Sequence, residues 1–230
     1  MRNFQSLDLF IKSLISGIFV LKISLFSVSV ASAHPHVWVD AAVIIHKNES
    51  GQIAAIEPVW IFDDLYTATL LPDLDKDQSG IVEKNELLDF AKEAIGNLHE
   101  WGYFLKAQTV NGRALAFDKK VTTESVLLNN RLLLRFKLML DQPIAAAKVI
   151  ELKMYDPSYF IAIELVKNKT VSFLSKDEKF KGNCQYEMID PSDHENNQTP
   201  LSELFFSDEE IAENPDLGSI FAQVLRVSCE

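Results

Sequence analysis

Residues 75–86 read Asp-Lys-Asp-Gln-Ser-Gly-Ile-Val-Glu-Lys-Asn-Glu. Their oxygen-bearing side chains fall in the register of an EF-hand calcium loop. Asp75, Asp77 and Ser79 occupy positions 1, 3 and 5. Gly80 stands at position 6, where the backbone turns sharply, and Ile81 offers its carbonyl at position 7. Glu83 takes position 9 and Glu86 is the bidentate carboxylate at position 12. The ion explains the spacing. A hard cation of calcium's size takes 6–8 oxygens at about 2.3–2.6 Å, and alternate residues of a tight loop point inward to supply them. Val82 at position 8 is apolar, as needed to anchor the loop to a core. A short acidic run can also be a solvated loop. The joint register of ligands, glycine and apolar position 8 argues for the ion.

Such a loop needs a helix on each side. After it, Leu87, Leu88, Ala91, Ala94, Ile95 and Leu98 recur at helical spacing. Before it, Asp63 is placed to cap a short helix through Leu65, Ala68 and Leu71. Pro72 departs from the pattern and is expected to break or shorten that helix. No second loop of this type occurs, so a lone site is expected to bind more weakly or to use a different support.

The first 33 residues resemble a secretory leader. Arg2 and Lys12 are basic, an apolar stretch follows over about residues 14–30, and Ala31-Ser32-Ala33 is a small-residue cleavage box. The competing reading is an uncleaved membrane anchor. Lys22 argues against it, because a charge at the bilayer centre costs about 2.5–3.5 kcal/mol even on insertion scales. Cleavage after Ala33 would leave residues 34–230 as a single periplasmic β-rich domain. The leader carries three basic residues and one acidic one. Its loss takes the formal charge from −11 to −13. That surface does not suit nucleic acid, which needs a basic footprint. It suits a protein that meets cations, and equally one that is merely soluble. Membrane contact is expected only through an uncleaved leader.

Cys184 and Cys229 form an even pair, which fits a disulfide in an oxidising compartment, with two free thiols as the alternative. The bond is expected to tie down the C-terminal segment. No Cys-x-x-Cys spacing exists for a zinc site.

The remaining chain reads mostly as strands. Residues 37–45 alternate, 48–51 form a turn and 53–62 return. Asn111-Gly112 signals a hairpin between 103–110 and 114–117. Leu132, Leu134, Phe136, Leu138 and Leu140 alternate as a half-buried strand, with further strands at 150–154, 159–165, 171–174 and 185–189. Asp156-Pro157 sets a turn. Ser207 and Glu210 form a capping box for a short helix. Residues 191–200 read as a surface loop, and 221–229 as a strand or a helix. The expected fold is α+β: mainly an antiparallel β-sandwich, with residues 63–99 as an inserted EF-hand-like helix–loop–helix.

Several of these segments carry a resemblance. His34-Pro35-His36-Val37-Trp38-Val39-Asp40 after a leader is similar to the opening of the bacterial periplasmic family called domain of unknown function 1007. Phe62-Asp63-Asp64-Leu65-Tyr66 before an acidic loop, Gly102-Tyr103-Phe104, Tyr155-Asp156-Pro157-Ser158-Tyr159-Phe160, and the ending from Phe221-Ala222 to Cys229 resemble it too. The resemblance implies a periplasmic component of a transport system, of the kind that occurs beside nickel, cobalt or zinc permeases. An inner-membrane metal permease is then the expected partner. It implies no settled activity.

Cleavage after Ala33 would make His34 the first residue. Its free amine and imidazole could chelate one transition metal, as in histidine-brace copper proteins, with His36 adding a nitrogen. This is fold-level analogy. The amino-terminal copper motif with histidine in third place is blocked, because Pro35 has no amide proton. Cu²⁺, Ni²⁺ and Zn²⁺ all accept such nitrogens. Otherwise His36 is simply a strand residue beside Trp38 and Asp40. His46, His99 and His194 sit in no metal-like spacing. No Gly-x-Ser-x-Gly, His-Glu-x-x-His or Gly-rich phosphate loop occurs, so no enzyme and no catalytic residue is expected. Two functions remain open. One is a metal-binding accessory protein of a transition-metal transport system, with one structural calcium. The other is a calcium-stabilised interaction module with no transition-metal role.

Overall fold

Strict alternation places the first strand. In β1 (Val37–Lys47) Val37, Val39, Ala41, Val43 and Ile45 face the core, while Trp38 and Asp40 face outward. The computed structural model describes residues 35–175, 184–191 and 213–229. The leader, His34, His194 and the Ser207/Glu210 capping box lie outside the described residues. A turn returns the chain into β2 (Ile53–Phe62): the Asn48 side-chain carbonyl accepts the Ser50 and Gln52 N–H groups, and Gly51 takes φ 74°.

Two α-helices, α1 (Asp64–Leu74) and α2 (Lys84–His99), come between β2 and β3 (Leu105–Thr109). Then follow β4 (Phe117–Leu128), β5 (Arg131–Ile144), β6 (Ile150–Met154), β7 (Ile161–Leu165), β8 (Val171–Ser175), β9 (Cys184–Ile189) and β10 (Val224–Cys229). The result is an α+β chain with a sheet-rich core. A six-stranded sheet runs β4-β5-β2-β1-β7, with β8 also on β1, and a four-stranded sheet runs β3-β6-β10-β9. Both sheets feed one apolar core. Trp60, Phe136 and Leu138 enter it from the first, and Leu105, Leu152 and Leu225 from the second. Leu87, Ala91 and Ile95 of α2 enter it as well. Among the described residues no helix is long and apolar enough to cross a membrane.

The strand pairing departs from the sequence expectation in two places. Pairing is not all antiparallel, because β7 and β8 run parallel to successive halves of β1, Val37–Ala41 and Val43–Lys47. Parallel pairing has no sequence signature in strands this short; it follows from a crossover back from the other sheet. Asn111-Gly112 does turn the chain, with Gly112 at φ 78°, but β3 and β4 belong to different sheets and share only the Gln108–Ala114 bridge. The hairpin partner of β5 is instead β4, through Asn129 and Asn130 at φ 50° and 63°. Asparagine tolerates this left-handed backbone, which a two-residue hairpin turn of type I′ requires at both positions. Of the two readings left open for the C-terminal segment the strand holds: it is β10, inside its sheet between β6 and β9.

Candidate metal centre

Helix α1 is fixed at its start. Asp63 is its N-cap, and one carboxylate oxygen accepts the Tyr66 N–H at 2.7 Å. The other accepts the Trp38 N–H at 3.0 Å, so the same side chain ties α1 to β1. Thr67 is fully buried. Its hydroxyl donates to the Asp63 carbonyl and accepts the Leu132 N–H, which pins the helix to β5. Pro72 does not break α1, which continues to Leu74. Proline removes one N–H, but here it sits in the last turn, and the ladder resumes at once with Asp75 N–H donating to the Leu71 carbonyl at 3.1 Å.

Helix α2 buries the stripe the spacing demands, with Leu87, Ala91 and Ile95 inward and Ala94 and Leu98 packed beside them. Leu88 lies on the open side. Its first turn carries a feature the sequence reading missed. Glu83 is the N-cap and Glu86 the third residue, and the Glu86 carboxylate accepts the Glu83 N–H at 2.9 Å in a capping box. The Glu-x-x-Glu spacing was the available signal.

Between the helices, the six expected ligand residues come together. Carboxylate oxygens of Asp75, Asp77 and Glu86 all lie within 4.8 Å of one another. Two oxygens on one calcium ion can be no further apart than about twice the 2.3–2.6 Å bond, so this spacing fits the ion. The Ser79 hydroxyl sits among the others, 2.9 Å from the Ile81 carbonyl oxygen, 3.2 Å from Glu83 Oε1 and 3.4 Å from Asp75 Oδ1. Backbone N–H groups orient the carboxylates. Asp75 accepts from Ser79 at 2.9 Å and Gly80 at 2.8 Å, and Glu86 accepts from Lys76 at 2.7 Å. Gly80 adopts φ 86°, the left-handed backbone that suits glycine. Val82 packs against the core, while Ile81 is exposed. The donor set is all oxygen and mostly carboxylate, which suits a hard cation.

The acidities diverge for stated reasons. Burial pushes the Asp75 pKa up, but the donations from Gly80 and Ser79 outweigh it and hold the carboxyl below its usual range. The Glu83 N–H, joined by the Glu83 carboxyl and the Lys76 N–H, holds Glu86 low against burial and the charge of Asp75. Glu83 moves up, chiefly through its hydrogen bond to the Glu86 carboxyl, then through burial and the charge of Asp77.

His36 lies just before β1 and is exposed, like Trp38 and Asp40 within the strand. Its ring stacks on Phe160 with centroids 4.7 Å apart, and its N–H donates to the Phe160 carbonyl. Asp40 pairs with Arg131 at 2.8 Å. The loop trio is the group of three metal-ligating residues found among the described residues, and no such group includes His36. His46 instead meets Glu57 at 2.6 Å, and His99 packs edge-on against Tyr103.

Cys184 and Cys229 are disulfide-bonded. They are paired positions of β9 and β10, so the bond fastens the edge strand β9 to the interior strand β10. The expectation that it chiefly restrains the C-terminal segment is corrected, because ladders on both sides already hold β10. Sequence reasoning also missed the role of Asp156. Its turn forms as expected, with Tyr159 N–H donating to the Asp156 carbonyl. The buried carboxylate accepts from Ser158 N–H, Ser158 hydroxyl and Ile161 N–H. This sets Phe160 against His36 and stacks Tyr159 on Phe221 at 3.9 Å.

A family model described as "Protein of unknown function (DUF1007)" matches residues 19–229. An "Uncharacterized protein" of Haemophilus influenzae is 27% identical over 207 residues, covering 86% of this chain and 92% of its own length. The chain belongs to the DUF1007 family. No catalytic assignment attaches to that family.

Proposed function

We propose that this DUF1007 protein is a periplasmic metal-binding accessory protein of a transition-metal transport system, held in shape by one structural calcium ion. The observation that carries the metal reading is the convergence of Asp75, Asp77 and Glu86 oxygens within 4.8 Å. Asp75, Asp77, Ser79, the Ile81 carbonyl, Glu83 and Glu86 would hold Ca²⁺ in an EF-hand-type loop between α1 and α2. The ion would join the end of one helix to the start of the next and relieve carboxylate repulsion there. The disulfide fits an oxidising compartment, as does a leader cleaved after Ala33. His34, freed as the amino terminus, together with His36, would offer nitrogen ligands to Zn²⁺, Ni²⁺ or Cu²⁺ for exchange with an inner-membrane permease.

A second reading is a calcium-stabilised interaction module with no transition-metal role. The stacking of His36 on Phe160 favours it, because the ring is already engaged. Isothermal titration of the exported, processed protein with Zn²⁺, Ni²⁺ and Cu²⁺ separates the two. Binding tighter than about 10 μM, or roughly −7 kcal/mol, for at least one metal is expected of the carrier. Weaker binding of all three rejects the carrier and leaves the module.

A further inference from the structure

Two connections meet where the chain changes sheets. The β3–β4 connection and the β5–β6 connection enclose an open cleft of about 760 Å³, within the 300–1,000 Å³ range of small-molecule sites. Its walls are braced by backbone bonds: Val110 N–H to the Val149 carbonyl, Asp141 N–H to the Ala116 carbonyl, and Cys229 N–H to the Ala146 carbonyl. Leu115 and Ile144 pack against the main core, and Leu140 is buried, so the apolar part of the lining is anchored. Such a cleft is largely formed before any ligand arrives.

Its charge is opposite to that of the chain. Arg113 and Lys148 line it against one carboxylate, Asp141, in a protein of formal charge −11. The other described arginines are engaged. Arg131 pairs with Asp40, Arg135 with Glu57 and Glu124, and Arg226 with Glu151 and Glu187. Arg113 alone among the described arginines has no carboxylate partner. A guanidinium is a planar fork that matches a carboxylate. Arg113 lines the same cleft as the aliphatic Leu115, Leu140, Ile144 and Val149.

We propose that this cleft binds a small aliphatic monocarboxylate, with the carboxylate on Arg113 and Lys148 and the hydrocarbon body on Leu115, Leu140, Ile144 and Val149. Two cations against one acid leave a single positive charge, which a monoanion neutralises. Asp141 disfavours a dianion. The site is independent of residues 75–86, so it stands or falls separately from the calcium reading.

Octanoate is the probe, titrated into the purified protein expressed from the full-length chain and followed by amide NMR. Saturable shifts at Arg113 and Val149 are expected, with Kd near about 1 mM, the affinity that roughly ten non-hydrogen atoms support. Arg113→Gln, at an exposed turn, is expected to weaken binding about tenfold, the usual value of a charge-assisted hydrogen bond. Lys148→Gln is expected to act in the same direction. Both variants should keep the wild-type spectrum away from the cleft. Octan-1-ol and inorganic phosphate, which each lack half of the proposed chemistry, are expected to bind at least about tenfold more weakly than octanoate. No saturable shift up to about 10 mM octanoate overturns the site, as does a loss under about threefold in Arg113→Gln. Equal binding of octan-1-ol overturns the carboxylate, and equal binding of phosphate overturns the aliphatic body.

Discussion

Withdrawing calcium is expected to destabilise the whole protein and not merely the loop. Asp75 is the C-cap of α1 and Glu83 the N-cap of α2, while Leu74 and Leu87, just outside the ligand set, are buried. An ion across these ends therefore couples loop order to core packing. A lone loop should bind in the range of about 10⁻⁵–10⁻³ M. At tenfold excess over Kd, mass action contributes about 1.4 kcal/mol. For a chain of this size each kcal/mol moves Tm by about 2–4 °C, so a rise of about 3–6 °C over EDTA is expected. Glu86→Gln should abolish the rise, and Glu83→Gln should only reduce it. The Glu86 carboxylate also accepts the Lys76 and Glu83 N–H groups, so its variant should melt lower even in EDTA. The informative quantity is therefore the calcium-minus-EDTA difference within each variant, read by scanning calorimetry. A wild-type Tm that is the same in EDTA and in calcium up to about 5 mM, fivefold above the weakest expected Kd, refutes the calcium site.

Replacing Cys184 and Cys229 together by Ser should release strand β9 first. The entropic limit for a separation of 45 residues is about 4 kcal/mol. Hydrogen exchange should quicken in β9 well before β10; equal loss in both strands would contradict the ladder argument. Glu151 should make stability pH-dependent. Its hydrogen bond from Arg226 outweighs burial and, with that from Gln108, holds it below the ordinary value of 4.5. A depressed folded-state value contributes stability that is complete above the unfolded value and is lost as pH falls through the folded one. Urea midpoints should thus fall from pH 5 downward, with a shallower slope in Glu151→Gln, and an unchanged slope would count against the pairing. Gly218→Ala should cost about 3 kcal/mol or more by overpacking. A Cβ there would stand 1.8 Å from the Asp156 backbone carbonyl oxygen. A urea midpoint within error of wild type would show that the two loops do not meet as described.

Much of the local structure was legible in the chain. The alternation of 37–45 and 132–140, the helical spacing from Leu87 to Leu98, and the Asp63 cap each depend on contacts within a few residues, and each formed. The closeness of Asp75, Asp77 and Glu86 was legible for the same reason, because a single turn of backbone brings their carboxylates together. The disulfide partners followed from a count of two. Pro72 does not break α1, but the helix ends two residues beyond it, in keeping with the expectation of a short helix.

What spacing cannot express is which strands become neighbours. The parallel placement of β7 and β8 on β1, the passage of the chain between sheets at Asn111-Gly112, and the interior position of β10 were decided by the joint burial of two apolar faces in one core. The same holds for Asp63 bonding Trp38, Gly218 against Asp156, and the cleft between the β3–β4 and β5–β6 connections. By itself the sequence determined the strand and helix periodicities, the spacing of the acidic residues over 75–86 and the cysteine pair, since these rest on local backbone geometry and residue chemistry. The sheet order, the edge strand that the disulfide secures and the cleft with its unpaired arginine were settled only by tertiary structure, because they depend on contacts between residues distant in the chain.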